Sequence, residues 1–80
     1  MTREELSTEI KKQIKKIAEN DDLELNDNTE IEDISDWDSL NNVDLEMALE
    51  TELSISFEVG EFEELTNIGK MITALEKKVS

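Results

Sequence analysis

The chain has 80 residues, 22 acidic and 8 basic, for a net charge of −14, and contains neither Cys nor His. Disulfides, thiolate nucleophiles, imidazole bases and the usual zinc ligands are thereby excluded together. So acidic a surface repels nucleic acid, whose binding depends on cations that displace counterions, and anionic membranes; it attracts basic patches on other proteins, with steering that weakens as salt rises.

Without a low-complexity tract, the chain reads as one domain over residues 1–80, near the smallest size that folds without staples. A large catalytic cleft is not expected. No apolar run approaches the ~18 residues of a membrane span, and the opening MTREELSTEIKKQIKK lacks the apolar core of a secretory leader. The expected address is the cytoplasm and the expected state a monomer. The charge is uneven: from Asn20 to Gly69 there is no Lys or Arg, while 17 of the 22 acids lie there. Acid-rich chains poor in aromatics are often disordered, but the apolar periodicity below argues for a fold.

Thr2 and Glu5 have capping-box spacing, and Leu6, Ile10, Ile14 and Ile17 follow at helical steps, which predicts a first helix over roughly residues 3 to 19. Lys11, Lys12, Lys15 and Lys16 lie off that stripe, on the solvated face. Residues 20 to 37 mix Asn, Asp, Ser and Thr with isolated Leu23, Leu25, Ile31 and Ile34, predicting a long ordered loop pinned by those four. Loops of ~15 residues or more in so small a domain tend to be functional or disordered.

A second helix is predicted from Ser39 to Leu53, with Asp38 as its N-cap. After it, Ile55 and Phe57 alternate like a strand, but a lone strand has nothing to pair with, so a turn and a short helix over about 58 to 64 are preferred. The last helix opens near Thr66 or Asn67 and carries Ile68, Ile72, Leu75 and Val79 on one stripe. Lys77 and Lys78 fall in its last turn, as the helix dipole favours. Gly69 weakens its start without breaking it. The expected fold is all-α: a small four-helix bundle of three longer helices and one short one, with a long loop between the first two.

The second helix carries two stripes. At 100° per residue from Leu40, Val43 and Met47 fall at about 300° and 340°, whereas Leu45, Leu49 and Leu53 fall at about 140°, 180° and 220°. Such a helix is either central in the fold or keeps one stripe for a partner. Asp44, Glu46 and Glu50 border the stripe of Leu40, Val43 and Met47, and an apolar strip rimmed with acids, containing an adaptable Met, has the composition of a docking face.

Ser39 stands at the start of this helix. It cannot be a serine-hydrolase nucleophile, for there is no His to act as base and no G-x-S-x-G elbow. A calcium loop beginning at Asp36 fails as well, with Asn41 where Gly is needed and Met47 where a bidentate Glu is needed. No metal site and no catalytic residue are expected. A capping role is open to Ser39, and so is a role as the carrier of an added phosphodiester, because the unpaired N–H groups and positive dipole of a helix N-terminus stabilise an attached anion.

The sequence DSL at 38 to 40, VDLEMALE at 43 to 50, TEIEDI at 29 to 34, the Phe57 region and TNIGKMI at 66 to 72 together resemble the acyl carrier protein family over nearly the whole chain. The resemblance implies that Ser39 is esterified by 4′-phosphopantetheine from coenzyme A, whose thiol carries an acyl group as a thioester. It implies that Asp38 assists the magnesium-dependent phosphopantetheinyl transferase (holo-carrier synthase). Leu40, Val43 and Met47 would be clasped by loading, condensing or transferring enzymes, with Asp44, Glu46 and Glu50 meeting their basic patches. Leu45, Leu49, Ile68 and Ile72 would form the interior where fatty-acid carriers lodge a chain.

Two departures stand out. Where fatty-acid carriers have Gly and then a small residue before the Asp, this chain has Asp36 and Trp37. Trp37 is read either as a loop anchor packed on the bundle or as a partner contact beside the arm. Asp38 favours the acyl branch over the peptidyl one, and WDSL points to a discrete carrier of a specialised pathway. The expected function is a non-enzymatic acyl carrier of fatty-acid or specialised biosynthesis. An aminoacyl or peptidyl carrier, or an unmodified acidic adaptor, is the alternative.

Overall fold

The computed structural model describes residues 1–79. Three α-helices carry the fold: α1 (Arg3–Ala18), α2 (Ser39–Leu53) and α3 (Ile68–Val79). Each starts and stops for a local reason. At α1 the Thr2 hydroxyl accepts the Glu5 N–H at 3.1 Å and the Glu5 carboxylate accepts the Thr2 N–H at 2.9 Å, satisfying two end donors reciprocally. Both α1 and α2 end on residues in the left-handed conformation, Glu19 (φ 55°) and Ser54 (φ 54°). Asn67 opens α3, its side-chain oxygen accepting the Lys70 N–H at 2.8 Å.

Leu6, Ile10 and Ile14 of α1, Leu45 and Leu49 of α2, and Ile68, Met71, Ile72 and Leu75 of α3 are fully buried together. Each such side chain contributes about 1.5–3 kcal/mol of burial free energy. The ends of α1 and α3 are joined by the Arg3 guanidinium, which pairs with the Glu76 carboxylate.

The expected fourth helix is a single 3₁₀ turn, Phe62–Glu64. Gly60 has φ 83°, which takes the backbone out of the helical region and stops any helix from starting at 58. Phe57 and Phe62 meet edge to face at 5.0 Å, and Lys78 from α3 lies 5.1 Å from the Phe57 ring while pairing with Glu61 at 3.0 Å. Those contacts hold the turn against the end of α3. A second 3₁₀ turn, Ile31–Asp33, interrupts the long loop.

That loop is fixed by its backbone as well as by its apolar residues. Ile31 and Ile34 are buried, and Leu23 and Leu25 pack on the core. In addition the Ile31 N–H donates to Thr66 O at 2.9 Å, the Ile68 N–H to Thr29 O at 3.2 Å and the Gly69 N–H to Asp27 O at 2.8 Å. Around the Glu30–Asn67 bridge the loop thus pairs like a fragment of antiparallel sheet with the entry to α3. Gly69 has its reason here: a Cβ would stand 3.1 Å from the Asp27 carbonyl oxygen.

Candidate functional site

The start of α2 sits where the long loop returns to the bundle. Asp38, in extended conformation, is the N-cap: its carboxylate accepts the Asn41 N–H at 2.9 Å, and the Asn41 side-chain oxygen accepts the Asp38 N–H at 3.0 Å. Because this pair does the capping, Ser39 does not. Its side chain is exposed and its hydroxyl has no hydrogen-bond partner among the described residues. Neither have the N–H groups of Ser39 and Leu40, the two donors that the capping box leaves over. The loop reaches this point through Asp36, held at φ 62°. Glycine adopts that left-handed position most readily, and Asp is one of the few other residues that tolerate it.

Beside Ser39 opens a cleft of about 300 Å³. Ile31, Trp37 and Leu65 give its apolar wall, and Asp38, Ser39, Asn42, Glu32, Glu63 and Thr66 give its polar one. Of the four residues expected to form an acyl chamber, Leu45, Leu49, Ile68 and Ile72, all are closed in the core and none lines this cleft.

Trp37, expected among the partner-contacting residues, is half-buried and packs on the core, the geometry of the loop anchor. Its indole Nε1 is fully shielded from solvent with no hydrogen-bond partner. A buried donor left so costs about 1–3 kcal/mol. Sequence reasoning had no means of finding this, since the direction of an indole ring leaves no trace in spacing.

The stripes of α2 divide cleanly. Leu40, Val43 and Met47 are 73%, 48% and 59% exposed, while Leu45 and Leu49 are fully buried. The outer stripe is therefore not core. Of its expected acidic rim, Asp44 is open to solvent. Glu46 has its carboxyl pKa raised by partial burial and then by the charges of Glu50, Glu63 and Glu61. Glu50, the third acid of that rim, is half-buried, and its carboxylate accepts the Phe57 N–H at 2.8 Å, which ties the segment after α2 to the helix. Val59, wholly exposed in that segment, was missed by sequence reasoning; its neighbour Gly60 was the signal for a protruding turn.

No protein-family model matches the chain, and neither does any curated protein. Among solved structures, the solution NMR structure of a holo acyl carrier protein from Geobacter metallireducens matches with a TM-score of 0.81 and 29% identity, covering 91% of this chain and 84% of that one. The chain is thus similar to an acyl carrier protein in fold and over nearly all of its length. The matched protein is a carrier in its holo form. Among the described residues no helix is long and apolar enough to cross a membrane.

Proposed function

We propose that this protein is an acyl carrier that bears a 4′-phosphopantetheine arm on Ser39 and presents acyl groups to partner enzymes through the outer face of α2. What carries the reading is the free, exposed Ser39 hydroxyl at the first position of α2, beside a cleft, in a chain whose structural relative is a holo carrier. The site fits such a group on its own chemistry. The unbonded N–H groups of Ser39 and Leu40 and the positive end of the α2 dipole favour a phosphodiester at that point.

When attached, the arm supplies the thiol that the sequence lacks. The chain's own residues do the rest. Asp38 fixes the first turn through its cap with Asn41, keeping the Ser39 hydroxyl turned outward; the second oxygen of its carboxylate makes no hydrogen bond among the described residues and is left for the magnesium-dependent transferase. Leu40, Val43 and Met47 offer an apolar strip for a partner, and exposed Asp44 offers charge to a basic patch. Glu46 contributes to that field from the side, while Glu50 acts on the fold.

Fatty-acid and specialised pathways are both served by this architecture. The W-D-S-L sequence at 37 to 40 favours a specialised one. The reading is tested by incubating the protein with coenzyme A, magnesium and a broad-specificity phosphopantetheinyl transferase. The expected result is a mass gain of one phosphopantetheinyl group, lost in Ser39→Ala. No gain, or a gain that persists in that variant, leaves an unmodified acidic adaptor as the better description.

A further inference from the structure

We propose that Trp37 is a positioning residue for the arm at Ser39, giving its indole N–H to an amide carbonyl of the arm and so holding it in the cleft. The inference rests on the reading of Ser39 given above. Three features of the site converge. First, the Trp37 Nε1–H is buried and without an acceptor, a state that native folds rarely leave without a purpose. Second, Trp37 and Ser39 line the same cleft, so anything esterified to the Ser39 oxygen begins within reach of Trp37. Third, carboxylates are already at hand: Glu32 and Glu63 line the cleft, yet neither takes the N–H, which leaves the donor available to an acceptor from outside.

The chemistry of the arm suits the donor. Phosphopantetheine has two amides whose carbonyl oxygens accept hydrogen bonds, set along a flexible chain that a cleft of about 300 Å³ can take in part. Ile31 and Leu65 supply apolar contact for the methylene segments between them. The hydrogen bond requires the ring to turn its shielded N–H toward the cleft as the arm docks. A hydrogen bond of ordinary net strength then raises the docked population of the arm roughly two- to ten-fold.

Trp37 is the only tryptophan in the chain, so its indole N–H gives a single resonance in a ¹⁵N-labelled sample. We expect that resonance to move downfield, and its exchange with solvent to slow, when the arm is attached by a phosphopantetheinyl transferase and attachment is verified by intact mass. In W37F, which keeps an aromatic ring but lacks the donor, the arm's own amide resonances should shift toward those of free pantetheine, with the docked population falling by that same factor. A verified mass gain with an unmoved indole resonance, or an arm that docks equally in W37F, overturns the role of Trp37 and leaves Ser39 standing as the attachment site. Absence of any mass gain removes both.

Discussion

Truncating Glu50 to alanine should unfold the protein more readily, although on a helical wheel Glu50 belongs to the surface rim of α2. Its carboxylate accepts the Phe57 N–H at 2.8 Å in a half-buried setting, and a hydrogen bond to a charged group is worth about 1.5–3 kcal/mol. Against that stands relief of repulsion, since Glu50 helps to raise the pKa of Glu46 and like charges four residues apart on a helix destabilise it by about 0.2–0.5 kcal/mol. The hydrogen bond wins, with a net loss of about 1–2.8 kcal/mol from these two ranges. For a domain of this size each kcal/mol moves the melting temperature by roughly 4–8 °C, so Glu50→Ala should melt on the order of 10 °C below the parent by circular dichroism. Glu50→Gln keeps an acceptor oxygen and loses the charge, and should recover most of the deficit. Exposed Asp44 is the control, and Asp44→Ala should stay within about 0.5 kcal/mol of the parent. If Glu50→Ala melts with the parent, or Glu50→Gln melts as low as Glu50→Ala, the carboxylate is a rim charge and the reasoning is wrong.

Leu45 and Leu40 lie on opposite faces of α2, fully buried and 73% exposed respectively; Leu45→Ala should cost about 2–5 kcal/mol in chemical denaturation, while Leu40→Ala should leave stability unchanged and slow transfer to a cognate partner enzyme. Glu46 has a raised pKa in the fold, from partial burial and neighbouring acids, so the native state takes up its proton more readily than the unfolded one and gains stability as pH falls through that raised value. Glu46→Gln should therefore melt above the parent at neutral pH, with the gap closing on acidification; a gap that is constant with pH contradicts the assignment. Asp36→Gly, at φ 62°, should stabilise by up to about 1 kcal/mol, because relief of the left-handed strain slightly outweighs the added freedom of the unfolded chain; a lower melting temperature would show that the Asp36 side chain earns its place by some other contact.

What could be read from the sequence was whatever is settled within a turn or two of helix. The Thr2–Glu5 box, the Asp38 cap, the apolar steps of α1 and α3 and the doubled stripe of α2 all arise from neighbours three or four residues apart, and such spacing is written directly in the chain. The same locality made D-S-L legible as a helix start with a candidate attachment serine.

Contacts across longer distances carry no periodic signature, and tertiary structure alone decided them. Sequence left open which stripe of α2 faces water; packing of α1 on α2 buried Leu45 and Leu49 and exposed the other. It gave the loop four apolar pins, whereas the backbone bonds from the 27–31 stretch to the 66–69 stretch join residues more than thirty positions apart. A short helix over 58 to 64 satisfied the composition, but the turn at Gly60 and the contacts of Phe57, Phe62 and Lys78 permitted only one turn of 3₁₀. The carboxylate of Glu50 and the indole of Trp37 show the rule most plainly. A polar group reveals its role through the partner it finds, or fails to find, and only the folded chain brings that partner near.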